Sequence, residues 1–314
     1  MDVAQLEHCF ESGQMITVFG STGLDQIGTV PRLPKPGETV MGGVFATAPG
    51  GKGSNQALAA RRAGSDVKHV GAVGDDLFAA EATALLRAGG VDLSALKSVP
   101  GATAVAMIFV DAHGENCIAV LPGANATVTA ADAEGALGEL AAGSVVMLQQ
   151  EIPQAATERA LDLARERGLV SILNTAPYLD STPSVAHKAT ILVANETEFQ
   201  LLSGRGMDEL DAAMLDWSAR HNQTVIVTLG GDGAKAATEG ELFHVNALPI
   251  KPIDTVGAGD TFCGYLAAGL DAGLGLKAAM KRAAVAASLA CLKPGAQPAI
   301  PLAAEVEAAM ASLA

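Results

Sequence analysis

The sequence predicts an α/β protein: a mainly parallel sheet covered by helices on both faces, with a small β-structured flap inserted into it. Two observations carry this. Short, continuously apolar runs alternate with longer helical stretches, the pattern of strands buried on both faces. Two further β-like segments, at about 28–47 and 101–121, have no helix to pair with in that alternation.

The first expected strand is 15–20 (M-I-T-V-F-G), a β-rich run ending in glycine. Runs of the same kind follow at 67–73, 144–148, 170–173, 191–193 and 224–229. Between them the expected helices are 54–63, 79–88, 130–141, 154–167, 196–203 and 208–221. After Pro252 the texture changes, and 258–272, 276–292 and 302–313 read as helices closing the fold. In the flap, three prolines precede Gly37 and a β-like T-V-M-G-G-V-F follows. Residues 103–121 carry a hairpin signal around Asp111-Ala-His-Gly114. On pattern alone, a flap and an edge extension of the main sheet stand equally open. Residues 1–14 read as a short tail ahead of one domain at 15–314, since they lack the basic start and apolar core of a signal peptide.

The 314 residues are 49% hydrophobic and 17% charged, which suits a sizeable Ala- and Gly-rich core and excludes wholesale disorder. The formal charge is −14, and no basic run exceeds the length of Arg61-Arg62. Nucleic-acid and anionic-membrane partners are therefore not expected. Cys9, Cys117, Cys263 and Cys291 form no C-x-x-C pair and read as reduced thiols. No apolar run reaches the ~18 residues of a membrane span. A soluble, cytoplasmic protein is the expectation.

The most informative stretch is Asp254-Thr-Val-Gly-Ala-Gly-Asp260-Thr-Phe-Cys-Gly264. Gly257, Ala258 and Gly259 leave backbone N–H groups open at an expected helix start, where an anion is favoured. Asp260 falls in the first turn beside that anion. A carboxylate there makes sense as the proton acceptor from a hydroxyl attacking a phosphoryl group. Cys263 reads as a small buried thiol.

Gly50-Gly51-Lys52-Gly53-Ser54-Asn55 precedes the expected helix at 54–63. It fails the P-loop pattern, with Ala46 at the first glycine position and Gly53 at the hydroxyl position. A tight turn that brings Lys52 and Asn55 to a polyhydroxylated ligand fits better, and a purely structural turn stands beside it. Asn195-Glu196-Thr197-Glu198 could hold the water shell of Mg²⁺ on a nucleotide, although a helix N-cap is the stronger claim taken alone. Thr228-Leu-Gly-Gly-Asp-Gly233 could let a purine or phosphates lie close, or could be an ordinary hairpin turn. Glu151 and Asp25 each follow a strand, on the side where α/β sheets bind ligands. The six histidines are scattered and show no ligand spacing.

These motifs, with G-E-N-C-I (114–118), P-G-A-N-A (122–126) and K-P-G-A-Q-P (293–298), resemble the ribokinase-like (PfkB-type) carbohydrate kinases from about Ile16 to the C-terminus. The resemblance implies a three-layer α/β/α sandwich with a β-sheet lid over the sugar, often a homodimer interface. It implies ATP- and Mg²⁺-dependent phosphorylation of a sugar's primary hydroxyl, O5 in ribose. By position, Asp260 resembles the base, and Gly257, Ala258 and Gly259 the anion hole. Asp25, Gly51, Lys52, Asn55 and Glu151 resemble the sugar contacts. Asn195, Glu198, Thr228, Leu229, Gly230, Gly231, Asp232, Gly233 and Gly259 resemble the nucleotide side. Asp254, Val256, Ala290, Lys293 and Gly295 resemble a site for an activating monovalent cation such as K⁺.

Three residues depart from the family pattern. Gly23 stands where an asparagine commonly binds the sugar, which leaves fructose, a ketodeoxy sugar acid or a nucleoside open as acceptors. Ala299 replaces a hydroxyl residue of the cation site. Tyr265 replaces a small residue. A non-catalytic sugar-binding regulator on the same fold is the remaining reading, and the intact G-A-G-D argues against it.

Overall fold

The apolar runs condense around two cores, one on each side of a single sheet. In this computed structural model, which describes residues 15–313, the chain enters through β1 (Ile16–Phe19), β2 (Gly23–Thr29) and β3 (Phe45–Gly50). The expected tail at 1–14 lies outside the described residues. Next come α1 (Lys52–Arg62), β4 (Val67–Gly74), α2 (Leu77–Ala82), α3 (Ala84–Gly89) and β5 (Leu96–Val99). A hairpin of β6 (Ala104–Val110) and β7 (Asn116–Leu121) follows. Alternation resumes with α4 (Ala130–Leu137), β8 (Val145–Leu148), α5 (Gln154–Arg167), β9 (Val170–Asn174), α6 (Thr182–Ala186) and β10 (Ile191–Asn195). Then come α7 (Glu196–Ser203), α8 (Leu210–His221), β11 (Thr224–Thr228), β12 (Ala234–Thr238) and β13 (Glu241–Val245). Helices α9 (Ala258–Asp271), α10 (Leu276–Ala290) and α11 (Ala303–Ala311) close the chain.

The main sheet has nine strands in the order β13-β12-β11-β10-β9-β8-β1-β4-β5. From β5 to β11 all pairs are parallel, and β12 and β13 add antiparallel. Strand β8 shows why these runs are apolar without alternation. Val145 and Met147 enter the core beneath α1, α9 and α10, whereas Val146 and Leu148 enter the core beneath α4, α5, α7 and α8. Each such side chain contributes about 1.5–3 kcal/mol by leaving water.

The flap is a separate four-stranded sheet, β3-β2-β6-β7, and not an edge of the main one. It starts at Gly23 instead of 28, and residues 30–44 hold no strand, so the β-like reading of 39–44 is corrected. Pro31, Pro34 and Pro36 have no N–H to offer a ladder in that loop. The expected helix at 79–88 is two helices that meet at Thr83, whose hydroxyl donates to the Ala79 carbonyl at 2.8 Å. Strands β5 and β13 and helix α6 were not expected. Among the described residues, no helix is long and apolar enough to cross a membrane.

Tyr265 gains a structural account. It is fully buried, its hydroxyl donates to the Pro301 carbonyl at 2.9 Å, and the Arg282 guanidinium lies 5.2 Å from its ring centre. It therefore ties α9 to the segment leading into α11. Tyr265→Phe should cost about 1–3 kcal/mol, the penalty for a buried acceptor left unpaired. A thermal melt should show the loss with kcat and KM unchanged.

Candidate active site

The site forms where the C-terminal ends of β1, β8, β9, β10 and β11 meet the N-termini of α1 and α9. Gly264 sets the approach of those two helices. A Cβ there would lie 2.4 Å from Ala59 Cβ and 2.7 Å from the Ala60 nitrogen, so only glycine lets α9 lie against α1. That contact brings Asp260, in the first turn of α9, to the side chains of Asn55 and Gln56 on α1.

Asp260 is buried, and both its oxygens accept hydrogen bonds. Asn55 Nδ2 donates to Oδ2 at 2.9 Å, and Gln56 Nε2 donates to Oδ1 at 2.9 Å. Gln56 is itself fixed, because its Oε1 accepts from Gln149 Nε2 at 2.6 Å and its Nε2 reaches Asn174 Oδ1 at 3.2 Å. The carboxylate is thus oriented by amides that cannot take its proton. Gln56, Gln149 and Asn174 were missed from the sequence. The available signal was a run of polar residues, Ser54-Asn55-Gln56, directly ahead of the apolar Ala57-Leu-Ala-Ala60 on the same helix.

Two acceptors near Asp260 await donors. Asn55 Oδ1 is buried without a partner. No donor among the described residues reaches the Asp25 carboxylate, which lies in the same cavity as Lys52, Asn55, Glu151 and Asp260. Burial, with the charges of Glu151 and Asp260, pushes Asp25 up to about 6. Lys52 is held above its usual range, chiefly by Asp260. Glu151 Oε2 accepts from the Ser21 hydroxyl at 2.6 Å and from the Lys52 N–H at 2.9 Å, so it also fixes the entry to α1. Gly51 has φ +90°, the conformation this turn requires.

At the start of α9, Gly257 has φ +74° and caps the helix. Among the described residues no backbone carbonyl takes the N–H of Gly257, Gly259 or Asp260, whereas that of Ala258 reaches the Thr255 carbonyl at 3.3 Å. Three free amides therefore remain beside Asp260, and Ala258 is the weakest member of the expected anion hole. Cys263, one turn on, is buried, and burial pushes its thiol upward, so it stays neutral.

The cleft runs on past Asp260 without a break. Lys52, Gly257 and Asp260 line both the cavity with Asp25 and a second cavity with Asn174, Asn195 and Glu198. Asn195 and Glu198 form a reciprocal cap on α7: Asn195 Oδ1 accepts the Glu198 N–H at 2.8 Å, and Glu198 Oε2 accepts the Asn195 N–H at 3.0 Å. They cap the helix and face the cleft at once, so the two readings of this motif are compatible. Thr228, Thr255 and Gly259 connect to a third, apolar cavity that also takes in Gly230, Gly231, Gly233, Ile250 and Phe262. Leu229 and Asp232 do not line it. Leu229 is half-buried against the core, and the Asp232 carbonyl accepts from His244 Nε2 at 2.6 Å.

The residues matched to a monovalent cation do come together. Asp254 accepts the N–H groups of Val256 at 3.0 Å and Gly295 at 2.8 Å, and the Ala290 carbonyl accepts the Lys293 N–H at 3.3 Å. Among the described residues there is no group of three or more His, Cys, Asp or Glu able to hold a metal ion. The Asp254 carboxylate and the backbone carbonyls of these residues are hard oxygens, the atom type an alkali cation takes.

The model of the pfkB family carbohydrate kinases matches residues 14–303. A ribokinase of Bacillus subtilis (strain 168) is 36% identical over 292 residues, 93% of this chain and 98% of that protein. A deoxyribokinase of Salmonella typhi is 34% identical over 291 residues, 91% of this chain and 95% of that protein. Among solved structures, Arabidopsis thaliana ribokinase complexed with ribose and ATP superposes with a TM-score of 0.84 at 27% identity, covering 94% of this chain and 98% of that one.

Proposed function

The chain belongs to the pfkB family of carbohydrate kinases, and on that premise we propose that it transfers the γ-phosphate of ATP to the primary hydroxyl of D-ribose, giving D-ribose 5-phosphate, with Asp260 as base. One observation supports this above the others. Asp260, oriented by two amides, stands between a cavity holding unpaired acceptors and a helix start holding unpaired N–H groups.

In this reading the sugar hydroxyls donate to Asp25 and Asn55 Oδ1, and the reacting hydroxyl faces Asp260. The transferring phosphoryl group rests on the N–H groups of Gly257, Gly259 and Asp260, with Lys52 near both ends. A loose transition state needs alignment and charge stabilisation more than a strong base, and the hydroxyl gives up its proton late. The purine lies in the apolar cavity beyond Thr228. Mg²⁺ would neutralise phosphate charge, its water shell held by Asn195 and Glu198. K⁺ would be held by the carbonyls around Asp254, Val256, Ala290, Lys293 and Gly295. The small sheet acts as a lid that excludes water from the phosphate. Its outer face carries exposed Phe45, Met107, Phe109 and Leu121, apolar surface that a second copy would cover in a homodimer. The expected setting is the cytoplasm.

A second reading keeps the kinase and changes the acceptor, to a deoxy sugar, fructose, a ketodeoxy sugar acid or a nucleoside. Gly23 favours it, since no side chain at this lid position contacts the sugar. An ATP-coupled assay over ribose, deoxyribose, fructose, ribitol, ketodeoxygluconate and nucleosides tests both. Ribose should give the largest kcat/KM; a wide margin for any other acceptor replaces the first reading.

The pH profile adds a check. Asp25 must be ionised to accept sugar hydroxyls, so kcat/KM for the sugar should fall as pH drops through about 6, the free protein's value. Asp25→Asn should abolish that limb. Stability should move the other way. The folded state holds this proton more tightly than the unfolded chain, so the group's contribution falls as pH rises from about 4 to 6.

A further inference from the structure

Asn125 lies in the P-G-A-N-A run, is buried, and is not among the residues lining the sugar cavity. Its side chain grips one peptide unit on each side of a single residue. Oδ1 accepts the Thr22 N–H at 3.1 Å, and Nδ2 donates to the Thr22 carbonyl at 3.1 Å. Thr22 immediately precedes β2, the strand on which the chain enters the lid, and Asn125 follows β7, the strand on which it leaves. The clamp thus joins the first and last roots of the lid.

His69 backs the clamp from the main sheet. It is fully buried, with Nδ1 at 3.2 Å from the Val18 carbonyl and Nε2 at 2.7 Å from the Thr22 hydroxyl. Since a carbonyl can only accept, Nδ1 carries the proton, and Nε2 accepts from Thr22. Three residues beyond Thr22, on β2, is Asp25, whose backbone pairs with Ala48 and Ala106.

We propose that Asn125, with Thr22 and His69, is a positioning residue of the lid: by fixing the root of β2 it sets where Asp25 stands in the sugar cavity. The proposal rests on the sugar-kinase reading for its kinetic consequence but not for its structural one. A displacement of about 1 Å in a binding group can cost on the order of a hundredfold, so the effect should be readable.

Asn125→Leu removes both hydrogen bonds at similar volume, and Thr22→Val removes only the hydroxyl. Each should raise KM for the sugar about tenfold or more while KM for ATP stays within about twofold, a split that general loss of fold would not give. Hydrogen exchange on the wild-type protein needs neither variant. The amides of 22–25 should be protected to the same degree as β1, not as weakly as the loop at 30–44. The proposal fails if a folded variant keeps its sugar KM, if both KM values rise together, or if 22–25 exchanges like that loop. Should the wild type phosphorylate no sugar, the acceptor reading fails, and exchange at 22–25 still decides the clamp.

Discussion

Asp260→Asn is expected to lower kcat by about 10²–10⁴-fold, the range for losing a positioned base, while sugar affinity measured by calorimetry shifts far less. The geometry says why the variant should fold. Gln56 is locked by Gln149, so it must keep donating, and the new amide will turn its oxygen toward it. Its NH₂ then faces Asn55, which can rotate to accept, because Asn55 Oδ1 is without a partner. That rotation would present a donor to the sugar where the wild type presents an acceptor, so a modest rise in KM should accompany the loss of turnover. Asp260→Ala is the harsher control: it strands Asn55 Nδ2, leaves Gln56 Nε2 only Asn174, and should cost stability as well. If Asp260→Asn keeps wild-type turnover, the base is another group, and Asp25, a carboxylate of the same cavity, is the next to test.

The parallel strands were legible because each is buried on two faces, and a run such as 145–148 has no polar residue to confuse the period. The lid was legible as a break in the alternation but not in its extent. Its first strand, G-L-D-Q-I-G-T, carries two glycines that weaken the β signal and a carboxylate, Asp25, that serves the cavity. Asp25, Lys52, Asn55, Glu151 and Asp260 were named from the sequence, and the structure brings them to one cavity. Gln56, the second amide on Asp260, and the Gln149 and Asn174 that hold it were not. Gln149 and Asn174 lie at the ends of two different strands, and no spacing along the chain relates them to Gln56 on α1. Leu229 and Asp232 were included because a contiguous motif was taken whole, although alternate residues of a tight turn face opposite ways. Tyr265 could be explained only through Pro301 and Arg282, both distant in sequence.

Gly257→Ala and Gly259→Ala should part company, and the difference tests the anion hole directly. Gly257 has φ +74°, and a Cβ there would fall 2.8 Å from Ala296 Cβ and 2.9 Å from Ala296 Cα. The left-handed conformation alone costs a non-glycine residue about 1–2 kcal/mol. Gly257→Ala should therefore melt earlier and, because its amide must move, lose roughly 10²–10³ in kcat, as removal of one such donor does elsewhere. Gly259 differs in both respects. Its φ is not in the left-handed region, and nothing lies within 4 Å of where its Cβ would stand. Gly259→Ala should keep or slightly raise the melting temperature, since alanine restricts the unfolded chain more than glycine does. Yet its methyl group would enter the space beside the free amides, where the phosphate must approach, so kcat/KM for ATP should fall steeply. A stable, inactive Gly259→Ala cannot be put down to damaged folding. A stable and fully active one would mean that the phosphoryl group does not rest on these amides.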